Sequence, residues 1–182
     1  WKGTSAQYNV AIGSYALHSG TGTYMTGDGN TAVGYQSGED ITSGYYNVSV
    51  GHTSLFNTTS GYFNTAVGMQ AGDALLTGYS NTYLGSKTEA SSTSAINQTM
   101  IGFGADGQGD NTVTLGNSDV TAVYMAEDSG ATIYAGNATF GGDVTISSDI
   151  RLKSNIVSLG STLSKLLLID GKSYTMNSDG KD

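Results

Sequence analysis

Ser148 and Lys153 are the two side chains of this sequence whose types and spacing are suited to covalent chemistry. A serine hydroxyl is a weak nucleophile and needs an adjacent base, and a lysine amine serves as that base only when neutral. Burial favours the neutral amine by disfavouring the ammonium form. The pair lies within Ser148-Asp149-Ile150-Arg151-Leu152-Lys153, where a glycine-rich acidic repeat gives way to a short basic, leucine-rich segment. A covalent maturation step at that junction is one reading. Spacing alone equally fits a helix cap, with Ser148 or Asp149 at the N-cap and Lys153 on the solvent side.

A second group is aromatic. Tyr45, Tyr46, Tyr62, Phe63 and Tyr79 recur in Gly44-Tyr45-Tyr46-Asn47, Gly61-Tyr62-Phe63-Asn64 and Gly78-Tyr79-Ser80-Asn81. Such a ladder either offers rings to a sugar ligand or plugs a seam between chains. Asp106-Gly107-Gln108-Gly109-Asp110 has the composition of a calcium loop without a repeated ligand set, and reads as a solvated turn. His18 and His52 have no partner at metal-ligand spacing and read as turn or surface residues, so no metal and no cofactor are expected. The adjacent acids Glu39/Asp40 and Glu127/Asp128 sit in Gly/Ser contexts and read as loop charges rather than glycosidase carboxylates.

The elements that must position these residues are unusual in composition. The chain has 27 glycines, no proline and no cysteine, which excludes disulfide frameworks and thiolate zinc sites. Residues 1–148 carry eleven acids against Lys2 and Lys87, whereas 149–182 carry four acids against five bases. An acidic body without a Lys/Arg stripe repels phosphate, so neither nucleic acid nor an anionic membrane surface is an expected partner. The sequence contains no apolar run long enough to insert in a membrane. It opens on Trp1 rather than Met and is expected to be a piece of something longer.

One phrase organises the body: Asn9-Val-Ala-Ile-Gly13, Asn30-Thr-Ala-Val-Gly34, Asn47-Val-Ser-Val-Gly51, Asn64-Thr-Ala-Val-Gly68 and Asn81-Thr-Tyr-Leu-Gly85. Gln98-Thr-Met-Ile-Gly102 and Asn111-Thr-Val-Thr-Leu-Gly116 are looser copies. The closing glycines step by 21, then four times by 17, then by 14. Strands this short at that period predict stacked solenoid coils rather than hairpins. Ile12, Val33, Val50, Val67, Leu84, Ile101 and Leu115 are expected to be the positions that stacking buries. The asparagines are expected to ladder from coil to coil, with glycine at the corners. At about 4.8 Å per coil the rod is roughly 30 Å long.

The Asn-x-Ala-Val-Gly coils resemble the head repeats of YadA-like trimeric adhesins, and still more the repeats of bacteriophage tail fibres, over roughly residues 8–118. The 17-residue step is longer than that of the adhesin heads, so longer corner loops are expected. The resemblance implies an all-β fold, a left-handed parallel β-roll or solenoid, with three chains around one axis. A thin coil of small residues has a narrow core, and a second buried face against identical neighbours would complete it.

After Gly116, Val120–Met125, Ala131–Tyr134, Ala138–Phe140 and Asp143–Ile146 read as short strands between Gly/Asp/Ser turns. A helix over Thr162–Ile169, capped by Ser161 and closed by Gly171, and a strand over Lys172–Met176 complete the pattern. Ser-Asp-Ile-Arg-Leu-Lys-Ser-Asn-Ile, this helix and Gly171-Lys-Ser-Tyr174 together resemble the start of the intramolecular chaperone domain of phage endosialidases and tail fibres, the peptidase S74 family. That resemblance implies Ser148 as nucleophile, Lys153 as general base, and cleavage between Ser148 and Asp149. The domains expected are a solenoid over 1–118, a β neck over 119–147, and over 148–182 the N-terminal part of an α+β chaperone. The function expected is host-surface attachment by a homotrimeric tail fibre in the virion, extracellular when mature and assembled in the host cytoplasm. Its partners would be a cell-surface glycan or protein and other tail-fibre or baseplate proteins. It would do no metabolic chemistry beyond self-cleavage. A bacterial trimeric adhesin, or a tailspike enzyme degrading a surface glycan, are the alternatives.

Overall fold

A three-residue extended segment bounded by glycine has too few backbone hydrogen bonds to stand alone, so it forms only against a copy of itself. This computed structural model describes residues 6–20, 24–127, 131–137 and 139, and its seven strands pair in that way. They are β1 (Val10–Ile12), β2 (Thr31–Val33), β3 (Val48–Val50), β4 (Thr65–Val67), β5 (Thr82–Leu84), β6 (Thr99–Ile101) and β7 (Val113–Leu115). All pair in parallel and in chain order within one sheet, so each strand sits on the strand before it. The register is constant: Val48, Ser49 and Val50 lie on Thr65, Ala66 and Val67, which lie on Thr82, Tyr83 and Leu84. The expected solenoid is therefore present.

Coil-to-coil bonding continues beyond the sheet. On one side Leu55 N–H donates to Ala71 O, Gly72 to Thr88 O and Glu89 to Ala105 O; on another Thr42 donates to Thr59 O, Thr59 to Leu76 O and Leu76 to Thr93 O. The corner after each strand is glycine with φ between +117° and +143° from Gly13 to Gly102. At Gly68 an added Cβ would lie 2.4 Å from the carbonyl oxygen of Gly85 in the next coil, so a side chain there collides with backbone.

Burial differs from the expectation. The buried strand residues are the central ones, Ala32, Ser49, Ala66, Tyr83 and Met100. Ile12, Val67, Leu84, Ile101 and Leu115 point out and are exposed, and Val33 and Val50 are half-exposed. Side chains alternate along a strand, so the phase is set by whichever neighbour is pinned inside. Here that neighbour is asparagine, two residues before each central position. Leu17, Met25, Ile41, Leu55 and Leu75 from the other walls fill the narrow interior. Two apolar clusters result, one around Leu17 and Ile41 and one around Leu55, Leu75 and Tyr83. The Ser37, Ser49 and Ser54 hydroxyls form a buried chain, with Ser37 Oγ 2.8 Å from Ser49 Oγ and 3.1 Å from Ser54 Oγ.

Beyond β7 the expected strands over Val120–Met125 and Ala131–Tyr134 are absent from the described residues. A strand exists only through hydrogen bonds to a neighbouring strand, and among the described residues no such pairing involves these segments; Tyr124 and Tyr134 are 78% and 94% exposed. The chain divides into two units, Trp1–Ala131 and Thr132–Asp182. The helix and strand expected over 162–176 lie outside the described residues.

Candidate functional site

The asparagine column fixes the geometry of the outer surface. Asn64 Nδ2 donates to Asn47 Oδ1 at 3.0 Å and to Gly78 O at 2.9 Å. Its Oδ1 accepts from the backbone N–H and the Nδ2 of Asn81, both at 3.0 Å. The same pattern runs from Asn9 through Asn30, Asn47, Asn64 and Asn81, and every amide from Asn30 to Asn81 is buried and satisfied. Gln98 ends it. Its backbone N–H still donates to Asn81 Oδ1, but its amide turns to Ser91 Oγ and Asp110 Oδ1. Asn111, expected to continue the column, sits one place earlier in its coil and pairs with Asn97 on the exposed side instead. The calcium-like run 106–110 thus supplies a cap: Asp110 Oδ1 also accepts from Ile96 N–H.

Each ladder residue forces the one before it into the left-handed region: Tyr46 and Phe63 at φ 55°, Ser80 at 58° and Asn97 at 51°. Bulky residues seldom adopt that conformation. The turn brings five rings to one corner of the third to fifth coils. Tyr45, Tyr62 and Tyr79 stack with centroids 4.8 and 4.7 Å apart and planes within 6°. Tyr46 stacks on Phe63 at 5.6 Å, and edge contacts join the two columns. All five expected aromatics are therefore together. Their faces are largely taken up by one another, while Tyr46 and Phe63 remain 56% and 52% exposed. Burial in the stack, then the neighbouring Tyr79 and Tyr45, push the Tyr62 phenol above its ordinary value.

Beside this corner runs the outer face of the sheet. Val10, Thr31, Val48, Thr65, Thr82, Thr99 and Val113 form one column, and Ile12, Val33, Val50, Val67, Leu84, Ile101 and Leu115 form another. Next along each coil come Tyr35, His52, Met69 and Phe103, of which Tyr35 and His52 stack at 5.2 Å. No charged side chain stands in these columns, and lone apolar residues would need no explanation but a continuous face does.

Sequence reasoning missed one polar feature. Glu89 hydrogen-bonds to the side chain of Asp73 in the preceding coil and has its pKa pushed up to about 8, first by burial and then by Asp73. Tyr83, whose buried hydroxyl has no partner, is raised by burial and by Glu89. No run of letters marks the Asp73–Glu89 pair, because the residues are 16 apart and meet only through coil stacking. Among the described residues no group of three or more metal-ligating side chains occurs, and no helix is long and apolar enough to cross a membrane. Ser148, Asp149 and Lys153 lie outside the described residues.

The fold defines the class: a β-solenoid with one parallel sheet and an uncharged outer face. Protein families, curated proteins and solved structures were each searched, and none matches this chain.

Proposed function

We propose that the chain is the distal part of a homotrimeric phage tail fibre, a left-handed β-roll that attaches the virion to a host surface and is finished by a self-cleaving chaperone. The observation that carries this reading is the uncharged outer face of the sheet, a column of Ile, Val and Leu beside one of Val and Thr. It rises about 29 Å over six coil spacings and, with three residues per strand, is roughly 10 Å wide, giving an area on the order of 300 Å². Flanking residues such as Tyr35, His52 and Met69 would add to it towards the ~800 Å² per partner of a stable interface, and a face that repeats coil by coil fits identical neighbours running in the same direction. The five-ring corner, at the edge of that face, serves as the seam plug or as the rim available to a glycan. Attachment to a glycan rests on the tail-fibre resemblance.

Sedimentation equilibrium of the purified protein is expected to give three times the chain mass; a monomer at micromolar concentration would overturn the trimer. For the junction, the gene with its full natural C-terminus is compared on denaturing gels with Ser148→Ala and Lys153→Ala. The parent is expected to yield a fragment ending near Ser148 and both variants the uncut chain. The same fragments in all three would remove the dyad.

A further inference from the structure

The last coil leaves a polar cleft at the C-terminal rim of the solenoid. From Gly102 to Gly116 the chain advances 14 residues instead of 17. In earlier coils each such wall is covered by the next, as Gly72 N–H donates to Thr88 O and Glu89 N–H to Ala105 O. Among the described residues that series does not continue past Asp106. The resulting cavity, about 380 Å³, is lined by Gly104, Asp106, Gln108, Thr114, Gly116, Asn117 and Ser118.

Its chemistry is specific in what it offers and what it lacks. Thr114 borders the cleft with its hydroxyl buried and unpartnered, so the polar groups that face the opening are those of Asp106, Gln108, Asn117 and Ser118. Asn117 Oδ1 accepts from Asp119 N–H at 3.0 Å, which orients the amide and leaves its NH₂ to donate. Asp106 adds a carboxylate acceptor and Ser118 a hydroxyl, and no lysine or arginine lines the cavity. Phe103, next in the chain to Gly104, is 65% exposed. The volume is over ten times the ~30 Å³ share of one liquid water, too large for a lone ion, and lies within the roughly 300–1,000 Å³ of small-molecule sites.

We infer that this cleft binds a neutral sugar unit. Vicinal hydroxyls match an array of carboxylate, amide and hydroxyl groups that both donate and accept, and an uncompensated Asp106 disfavours acidic sugars. The inference deepens the attachment reading and rests on it for the claim that the sugar belongs to a host surface.

The test is saturation-transfer NMR on the full chain with the methyl glycosides of glucose, galactose and N-acetylglucosamine, and with glucuronic and sialic acids. At least one neutral glycoside is expected to bind, the acids not. Ser118→Ala and Asn117→Leu, each checked for an unchanged melting temperature, are expected to weaken binding about tenfold or more, the loss of one hydrogen-bonded partner. No signal from any neutral glycoside, stronger signal from the acids, or undiminished binding in both folded variants would overturn the inference. Retention on immobilised bacterial polysaccharides separates the two claims. Parent and variants retained equally leaves attachment standing and removes the cleft; glycoside binding without retention of the parent removes attachment and supports the cleft.

Discussion

At the scale of single residues, stability is concentrated in polar groups that are paired rather than in large apolar ones. Asn64 makes four hydrogen bonds to adjacent coils, and each partner left unpaired in the interior costs about 1–3 kcal/mol. Asn64→Ala is expected to destabilise the solenoid by at least about 3 kcal/mol in urea unfolding, more than the same change at an exposed Ser80. Glu89 contributes in the opposite sense. Its folded pKa of about 8 stands above the ordinary 4.5, so below 4.5 the carboxyl is protonated in both states and nothing is lost. Between 4.5 and 8 the unfolded chain releases that proton while the folded one keeps it, so stability falls as pH rises through this window. Glu89→Gln, whose amide still donates towards Asp73, is expected to flatten this slope and to stabilise the protein at pH 8. An unchanged difference between unfolding midpoints at pH 5 and pH 8.5 would count against the pair.

At the scale of the coil, the strand positions, their period and the asparagine column were legible in the sequence because each is set by local repetition. The phase of burial was not legible from hydropathy: Val and Ile are more apolar than Ala and Ser, yet the inward column holds Ala32, Ser49 and Ala66 and then the larger Tyr83 and Met100, so neither size nor hydropathy marks it. The signal that decides it is the buried asparagine, since residues two apart share a face; with Asn47 inside, Ser49 must be inside and Val48 and Val50 out. Asn111 misled for a related reason. Its phrase is one residue longer, which moves it from the inner to the outer column. The Asp73–Glu89 pair and the rim cleft arise from contacts between coils and have no local signature. Corner glycines are the element's strictest requirement. With φ at +143° and a Cβ position 2.4 Å from the Gly85 oxygen, Gly68→Ala is expected to prevent the fourth and fifth coils from stacking. Loss of the parallel-sheet circular dichroism, or an insoluble product, is the expected result. A soluble variant with the parent spectrum would mean that the corner yields.

At the scale of the whole molecule, one chain leaves its sheet face uncovered. Burying a Leu or Ile side chain contributes about 1.5–3 kcal/mol, and the outer column is already partly covered, with Val67 37%, Leu84 48% and Ile101 38% exposed. Each position therefore adds on the order of 1 kcal/mol, and the seven of one column roughly 7 kcal/mol, against about 4–15 kcal/mol for the freedom lost in one association. Each chain of the proposed ring of three buries its column once, so roughly 21 kcal/mol stands against two association steps, a balance close enough to need the whole column. Dependence on the full column makes assembly sensitive to one charge near its middle. Leu84→Glu lies outside the solenoid interior and is expected to leave the monomer's circular dichroism and melting unchanged while shifting sedimentation from trimer to monomer. Thr77→Glu, on another wall and also exposed, is expected to leave the proposed trimer intact. Trimers in both variants would place the interface elsewhere on the solenoid.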